Sequence, residues 1–245
     1  MRKICVIYHK ERKMEQKNVK LLLETPLFTG VAETELAQML GCLAARRASY
    51  ARGETILHAV DLTAELGVLL SGEVHLERTD AHGNRELVGQ VHAGGIFAEV
   101  FACLRDVPLS VTATAAAPAQ VLFLDVERVL HVCPSACAFH SRVVRNLLHL
   151  LAGKNYRLTE KLEHISRRTT REKLLSYLAA QSRAAHSAAF AIPFNRQQLA
   201  DYLAVDRSAM SKELARMRAD GLIEYERNCF RLMPGAVCGL NNSEN

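Results

Sequence analysis

The sequence has little of what defines membrane or secreted proteins. No apolar stretch approaches the ~18–20 residues that a membrane-spanning helix needs. The apolar segment 4–8 is too short for the core of a secretory signal peptide, and Lys10, Arg12 and Lys13 follow it. We therefore expect a cytoplasmic protein without a membrane partner. In that compartment its seven cysteines are expected to be free thiols and not a disulfide framework.

The signatures of several enzyme classes are also missing. The chain has no P-loop, no Gly-x-Ser-x-Gly and no His-Glu-x-x-His segment, so we predict that it is not an enzyme. Hydrophobic residues make up 49% and charged residues 23% of the sequence, which argues against disorder. A length of 245 residues fits one or two globular domains.

Basic residues are concentrated in the C-terminal half. Residues 139–233 contain seventeen Lys or Arg and nine Asp or Glu, whereas residues 14–138 contain nine and fifteen. This asymmetry suggests two domains with different partners, and nucleic acid is the simplest partner for the basic one.

The N-terminal half has a helical pattern followed by a β pattern. Apolar residues recur at helical spacing between Val19 and Leu43. Between 46 and 126, short apolar segments are separated by glycine and polar turns, which is typical of an antiparallel sandwich or barrel. The predicted strands are 55–57, 66–70, 74–77, 87–91, 111–114 and 121–124, with a short helix at 98–105.

A heptad repeat begins after Pro134. Its a and d positions are Ser141, Val144, Leu148, Leu151, Asn155, Leu158, Leu162 and Ile165. An unbroken alternation of spacings of three and four predicts a parallel coiled-coil dimer, in which Asn155 fixes the register. The alternative is a helix packed into the core of its own chain.

The segment after 190 predicts a helix-turn-helix. After a helix at 170–182 and a strand at 190–194, Asn195 is a good N-cap, and Gln198 can complete a capping box. Asp206 can cap a second helix that extends to about Ala219, and an alternating hairpin follows as a wing. The outward positions of the second helix are Arg207, Ser208, Ser211, Lys212, Arg216 and Arg218. A plain helical hairpin with a solvated basic face is the alternative.

With these segments in this order, the chain from about 21 to 233 resembles the Crp/Fnr family of bacterial transcription regulators. The matching pieces are 53–56, 67–74, 94–99, the long helix and 194–203. The resemblance implies an α+β fold with an antiparallel β-roll of the cyclic-nucleotide-binding type (a cupin-like jelly roll), a long dimerisation helix and a winged helix-turn-helix. The expected divisions are an N-terminal extension 1–18, a sensor domain 19–138, a dimerisation helix 139–168, a DNA-binding domain 169–235 and a polar tail 236–245.

Double-stranded palindromic promoter DNA and RNA polymerase are the partners that the resemblance implies. We expect Arg207 and Lys212 to contact guanine, because both can donate to its O6 and N7 atoms. Ser208 and Ser211 would be adaptable or water-mediated readers. The family usually has Glu at the position of Ser208, so its best-known half-sites are not expected here. Arg196, Arg216 and Arg218 would hold phosphates or face solvent.

The residues argue against cyclic AMP as the effector. Family members that bind it have an Arg-Ser or Arg-Thr pair, whereas the pair here is Leu109 and Ser110. Without that cation, a buried phosphate beside Glu99 would be costly. Glu99 could instead accept hydrogen bonds from backbone N–H groups. The candidate effector-binding residues are Phe97, Glu99, Cys103, Leu109 and Ser110.

The cofactor stays unknown. An N-terminal iron–sulfur cluster, as in the oxygen-sensing branch of the family, is not expected because only Cys5 lies in that region. Cys133 and Cys137, with His131 and His140 nearby, could form a metal, haem or dithiol redox site. The alternative is that the two cysteines are buried, small apolar residues of the core.

Two functions are consistent with these patterns. The first is a dimeric transcription regulator controlled by a small-molecule or redox signal. The alternative is a nucleotide-binding signalling subunit that acts through protein contacts and not through DNA.

Overall fold

The computed structural model describes residues 14–80, 82–130 and 138–234. The chain divides into two compact units, Met1–Ala152 and Gly153–Asn245. The boundary falls inside a helix of 28 residues, Ala138–Ile165. Within the described ranges, no helix is both long and apolar enough to cross a membrane.

The described residues of the first unit form two four-stranded antiparallel sheets. The strands are β1 Arg46–Tyr50, β2 Thr55–Leu57, β3 Glu65–Ser71, β4 Glu73–Thr79, β5 Arg85–His92, β6 Ile96–Phe97, β7 Thr112–Ala115 and β8 Ala119–Asp125. Their order is β1-β8-β3-β6 in one sheet and β2-β7-β4-β5 in the other.

Strands β3 and β8 lie at the centre of the first sheet and are buried on both faces. Leu69 and Phe123 pack with the residues between the two sheets. Leu66, Leu70 and Leu124 point to the opposite face and pack with the helices. Because successive side chains alternate between faces, these continuous apolar runs supply two cores at once.

In the part of this unit that the structure describes, five α-helices accompany these sheets: α1 Gln16–Glu24, α2 Glu33–Cys42, α3 Glu99–Leu104, α4 Val126–Leu130 and α5 Ala138–Ile165. Val143 and Leu147 of α5 are buried in the core that the helices share with β3 and β8. The Nδ2 atom of Asn146 donates to the carbonyls of Leu27 (3.0 Å) and Thr29 (2.9 Å). These bonds attach the first half of α5 to the N-terminal helical segment.

The described residues of the second unit form the second half of α5, three further helices and a three-stranded sheet. The helices are α6 Thr170–Ala184, α7 Arg196–Leu203 and α8 Arg207–Ala219; the strands are β9 Ala189–Ala191, β10 Ile223–Glu226 and β11 Cys229–Leu232, in the order β10-β11-β9. Its core includes Tyr177, Leu199, Met210, Leu214 and Phe230.

Most elements agree with the sequence prediction, with three differences. All six predicted strands of the first unit are present, and α3 lies within the predicted helix at 98–105. Strands β1 and β6 were not among those predicted. The strand predicted at 190–194 is instead Ala189–Ala191. Pro193 has no N–H to donate, so the ladder cannot continue through it.

Candidate nucleic-acid interface and sensor site

Local hydrogen bonds fix the start of both helices of the helix-turn-helix. The Oδ1 atom of Asn195 accepts from the backbone N–H of Gln198, and the Oε1 atom of Gln198 accepts from the N–H of Asn195, both at 2.9 Å. Asp206 accepts from the N–H of Ala209 at 2.8 Å. Both predicted caps are therefore confirmed.

A connection of only three residues joins α7 to α8. Its first residue, Ala204, has φ +50° and ψ +59°, which is the left-handed conformation. The Nζ atom of Lys173 lies 3.3 Å from the carbonyl oxygen of Leu203 and 3.4 Å from that of Ala204. A lysine of α6 thus donates to the end of α7, where carbonyls lack partners within the helix.

Helix α8 has one buried face and one exposed polar face. Met210, Leu214 and Met217 are buried in the core of the second unit. The outward residues are all exposed: Arg207, Ser208, Ser211, Lys212, Arg216 and Arg218. The inward and outward positions therefore agree with the sequence prediction.

The two serines of this face are hydrogen-bonded to residues at the start of α8, its N-cap Asp206 and Arg207. The Ser208 hydroxyl lies 2.6 Å from Oδ1 of Asp206. The Ser211 hydroxyl lies 2.9 Å from the carbonyl oxygen of Arg207. The Ser208 bond also holds the pKa of the exposed Asp206 carboxyl below its usual value.

Arg171 links α6 to α8, a role that the sequence did not reveal. Its Nε atom lies 2.6 Å from Glu213, and its Nη2 atom lies 2.7 Å from Asp220. Arg216 lies 3.5 Å from the second oxygen of Glu213. The partners of Arg171 lie 42 and 49 positions away in sequence, so no local pattern marks them.

The guanidinium of Arg196 packs on the wing. Its Cζ atom lies 4.8 Å from the ring centre of Tyr225 and 5.1 Å from that of Phe230. Burial lowers the pKa of Arg196. The Cζ atom of Arg218 lies 5.6 Å from the same Tyr225 ring. Arg196 therefore joins the first turn of α7 to the hairpin, whereas Arg216 extends into solvent.

The heptad positions of α5 differ in exposure. Leu148, Leu158 and Leu162 are 66%, 62% and 61% exposed, and Ser141 and Asn155 are exposed as well. Val144 and Leu151 are half-buried and pack against the core of the first unit. Ile165 is half-buried. The helix buries Val143 and Leu147 against its own unit, so the heptad is largely a separate face.

Two of the candidate effector residues, Phe97 and Cys103, lie in different cores. Phe97 packs between the two sheets; a side chain at Gly67 would place its Cβ atom 2.5 Å from the Phe97 ring. Cys103 packs instead with the helical core, so it does not share the inner face of the roll with Phe97. Burial and the nearby Glu99 carboxylate raise the pKa of Cys103. Glu99 and Leu109 are buried, and Ser110 is exposed.

Most of the candidate metal ligands lie outside the described residues, namely His131, Cys133 and Cys137. His140 is buried, and its Nε2 atom lies 3.2 Å from the carbonyl oxygen of Arg128. Across 14–80, 82–130 and 138–234, no three His, Cys, Asp or Glu side chains are grouped as metal ligands.

Comparison with known proteins identifies two domain families in this chain. The model described as "Cyclic nucleotide-binding domain" matches residues 47–135, and the model described as "Crp-like helix-turn-helix domain" matches residues 141–233. No curated protein matches the sequence.

Several solved structures are similar to the chain. The catabolite activator protein of Thermus thermophilus is 24% identical, over 88% of this chain and 97% of that one, with a TM-score of 0.51. DNR of Pseudomonas aeruginosa is 18% identical, over 91% and 97%, with a TM-score of 0.47. CLP of Xanthomonas campestris, a c-di-GMP-responsive regulator, is 16% identical, over 82% and 99%, with a TM-score of 0.48.

The first of these structures shows the same fold, a β-roll and a long helix followed by a helix-turn-helix unit. The two domain families occur in the order expected from the sequence. The chain belongs to the Crp/Fnr family of transcription regulators.

Proposed function

We propose that this protein is a dimeric transcription regulator that binds palindromic promoter DNA. A small-molecule or redox signal sensed by the β-roll domain would control its binding. The observation that supports DNA binding most strongly is the outward face of α8, where Arg207, Lys212 and Arg216 are exposed beside a correctly capped helix-turn-helix.

In this proposal α8 enters the major groove, and Arg207 and Lys212 donate to guanine O6 and N7. Arg216 and Arg218 contact phosphates, which fix the position of the helix without reading sequence. The wing and Arg196 support the helix from the side. A two-fold dimer presents two such helices to half-sites ~34 Å apart, one turn of DNA.

Dimerisation would use the exposed heptad face of α5. Leu148, Leu158 and Leu162 leave a row of apolar surface on one side of the helix, and Asn155 lies among them. Leucines at this spacing gain most when a second helix covers them, and an asparagine at an a position selects a two-stranded, in-register pair. Crp-like regulators usually dimerise, which agrees with this assignment.

Substitution of Lys212 tests the DNA contact. Lys212→Ala should weaken binding to the preferred sequence by roughly 1–3 kcal/mol and relax specificity at one base pair per half-site. The measurement is a set of fluorescence-anisotropy titrations with the preferred duplex and a scrambled one. Equal losses on both duplexes would assign Lys212 to a phosphate instead.

The salt dependence of binding separates this function from the alternative. A protein that holds DNA through several arginines and lysines releases counterions, so log K should fall steeply with log salt. The proposal would be contradicted if the protein did not bind DNA, or if its affinity for DNA did not change with salt concentration. Either result would favour the signalling subunit that acts through protein contacts.

An absorption spectrum and a metal analysis of anaerobically purified protein would test which kind of signal the protein senses. A Soret band, or stoichiometric iron or zinc, would indicate a haem or metal sensor and would assign ligand roles among His131, Cys133, Cys137 and His140. A featureless, metal-free protein would favour an organic ligand or a thiol switch. Ligands would then be screened for their effect on DNA binding.

A further inference from the structure

The hydroxyl of Ser211 has its single proton committed within α8. Its Oγ atom lies 2.9 Å from the carbonyl oxygen of Arg207. A carbonyl oxygen can only accept, so the hydroxyl must be the donor. Toward any further partner, Ser211 can therefore only accept a hydrogen bond.

The hydroxyl of Ser208 is committed in the same way, by a different partner. Its Oγ atom lies 2.6 Å from Oδ1 of Asp206, which also accepts from the N–H of Ala209. These bonds lower the pKa of Asp206, so its carboxyl group is ionised at neutral pH and has no proton to give. The Ser208 hydroxyl is again the donor, in a charge-assisted bond of the stronger kind.

Both serines are exposed on the outward face of the helix. An exposed oxygen whose proton is used elsewhere can accept from a partner but cannot donate to it. In the major groove the exposed donors are the N4 amino group of cytosine and the N6 amino group of adenine. Phosphate oxygens offer acceptors only, so they do not match either serine.

We infer that Ser208 and Ser211 are specificity-determining acceptors that select an amino group, of cytosine or adenine, at their positions in each half-site. This inference rests on the proposed function, because it assumes that α8 enters the major groove. It divides the base-contacting residues on the outward face of α8 into hydrogen-bond donors and hydrogen-bond acceptors. Arg207 and Lys212 read acceptors on guanine, and the two serines read donors on neighbouring bases.

The test starts from the half-site that the full-length wild-type chain selects from random duplex DNA. Each cytosine or adenine in it is then replaced by 2-pyrimidinone or unsubstituted purine, which lack the N4 and N6 amino groups. Wild-type binding should weaken roughly 3- to 10-fold at one position for each serine, the value of a single hydrogen bond. Ser208→Ala and Ser211→Ala should each show no further loss at their own position.

This design also removes the effect of weakened base pairing, because wild type and variant meet the same modified duplex. Ser208→Thr retains the hydroxyl and should retain the sensitivity. Ser182→Ala is the matched control: its hydroxyl also donates to a backbone carbonyl, that of Ser187, but it belongs to α6. Replacement of guanine by 7-deazaguanine should still weaken both serine variants.

Three outcomes would contradict either the inference about the serines or the proposed function. If the serine variants lose sensitivity to 7-deazaguanine, the serines donate to N7 and the inference is overturned. It is also overturned if removal of amino groups costs the alanine variants as much as wild type at every position. If wild type selects no consensus at all, the proposed recognition of an operator fails, and not the reading of the serines alone.

Discussion

Ala204 adopts a backbone conformation that suits glycine better than alanine. It begins the connection between α7 and α8 with φ +50°. An L-residue in the left-handed region places its Cβ atom too near the following carbonyl oxygen, at a cost of roughly 1–2 kcal/mol. The sequence alone does not give the sign of φ at this position, which the structure supplies.

Ala204→Gly should therefore stabilise the second unit, by about 0.5–1 kcal/mol after the added freedom of glycine in the unfolded chain is deducted. Ala215→Gly is the matched control, an exposed position inside α8 where glycine should cost about 1 kcal/mol. Urea unfolding followed by tyrosine fluorescence suits both variants, because the chain has no tryptophan and four of its six tyrosines follow Gly153. If Ala204→Gly destabilises the unit, strain at this turn is refuted.

His164 is a buried titratable residue of the second unit. It is 2% exposed, its Nδ1 atom lies 2.8 Å from the Ser176 hydroxyl, and its ring meets Tyr177 edge to face. Burial lowers its pKa below the ordinary 6.5, although Glu160 and Glu163 oppose the shift. The folded chain therefore takes up this proton less readily than the unfolded chain.

The stability that His164 provides should decline as the pH falls below about 6.5, because protonation then favours the unfolded chain. Above that pH its contribution should be constant. His164→Gln cannot titrate, so the difference in melting temperature between wild type and variant should narrow or change sign from pH 7.5 to pH 5.5. A difference that stays constant over this range would mean that the histidine does not titrate differently on folding.

Arg171 of α6 holds α8 in place through two ion pairs. It spans two turns of the helix by reaching Glu213 and Asp220 from the start of α6. Its side chain is 37% exposed, so each ion pair is worth less than a buried one. Arg171 therefore contributes mainly by fixing the direction of α8, since it contacts the middle of the helix at Glu213 and its C-cap at Asp220.

Arg171→Gln should weaken operator binding by roughly 1 kcal/mol without changing the slope of log K against log salt. A slope that falls by about one unit would show that Arg171 holds a phosphate directly. Arg183→Gln is the control, since this arginine lies in the last turn of the same helix, whereas the ion pairs to Glu213 and Asp220 are formed by Arg171.

The sequence predicted those elements whose determinants are local. Asn195, Gln198 and Asp206 cap helices through atoms three residues away or fewer, so their roles could be inferred from spacing. Strand β1 has mostly exposed residues, with only Ala48 and Tyr50 packed against the core, and β6 has two residues, so neither gave a clear signal. Propensity cannot identify strands that are defined by their partners.

In the candidate site, too, only the features with local determinants could be predicted from the sequence. The outward face of α8 follows from helical period, and its exposure agrees. The direction of Cys103 did not follow, because the packing of α3 against the helical core decides which side it faces. The partners of Arg171 and Arg196 lie beyond the reach of any short motif.

The heptad face of α5 decides whether two chains form a dimer in the proposed function. Leu158 is the best probe of it, since Leu151 also packs into the core of its own unit. Leu158→Glu should give monomers and remove binding to a palindromic operator, because two carboxylates would meet across the pair of helices. Analytical ultracentrifugation and anisotropy titrations would measure the two effects.

Tyr156→Glu is the control for this substitution. Tyr156 belongs to the same helix and is 65% exposed, but it lies outside the a and d positions. This variant should remain dimeric. A dimer that survives Leu158→Glu, or one that is lost with Tyr156→Glu, would place the interface elsewhere.

The pairing of β1 with β8 affects the order in which the two units can fold during synthesis. Arg46 faces Phe123 in the first sheet, and β3 needs β8 as well, so that sheet stays incomplete until residues near 125 have left the ribosome. The sheet of the second unit closes between Ala189 and Leu232. Because distant pairings form more slowly than near ones, the half of the chain that is synthesised first is expected to be the slower to fold.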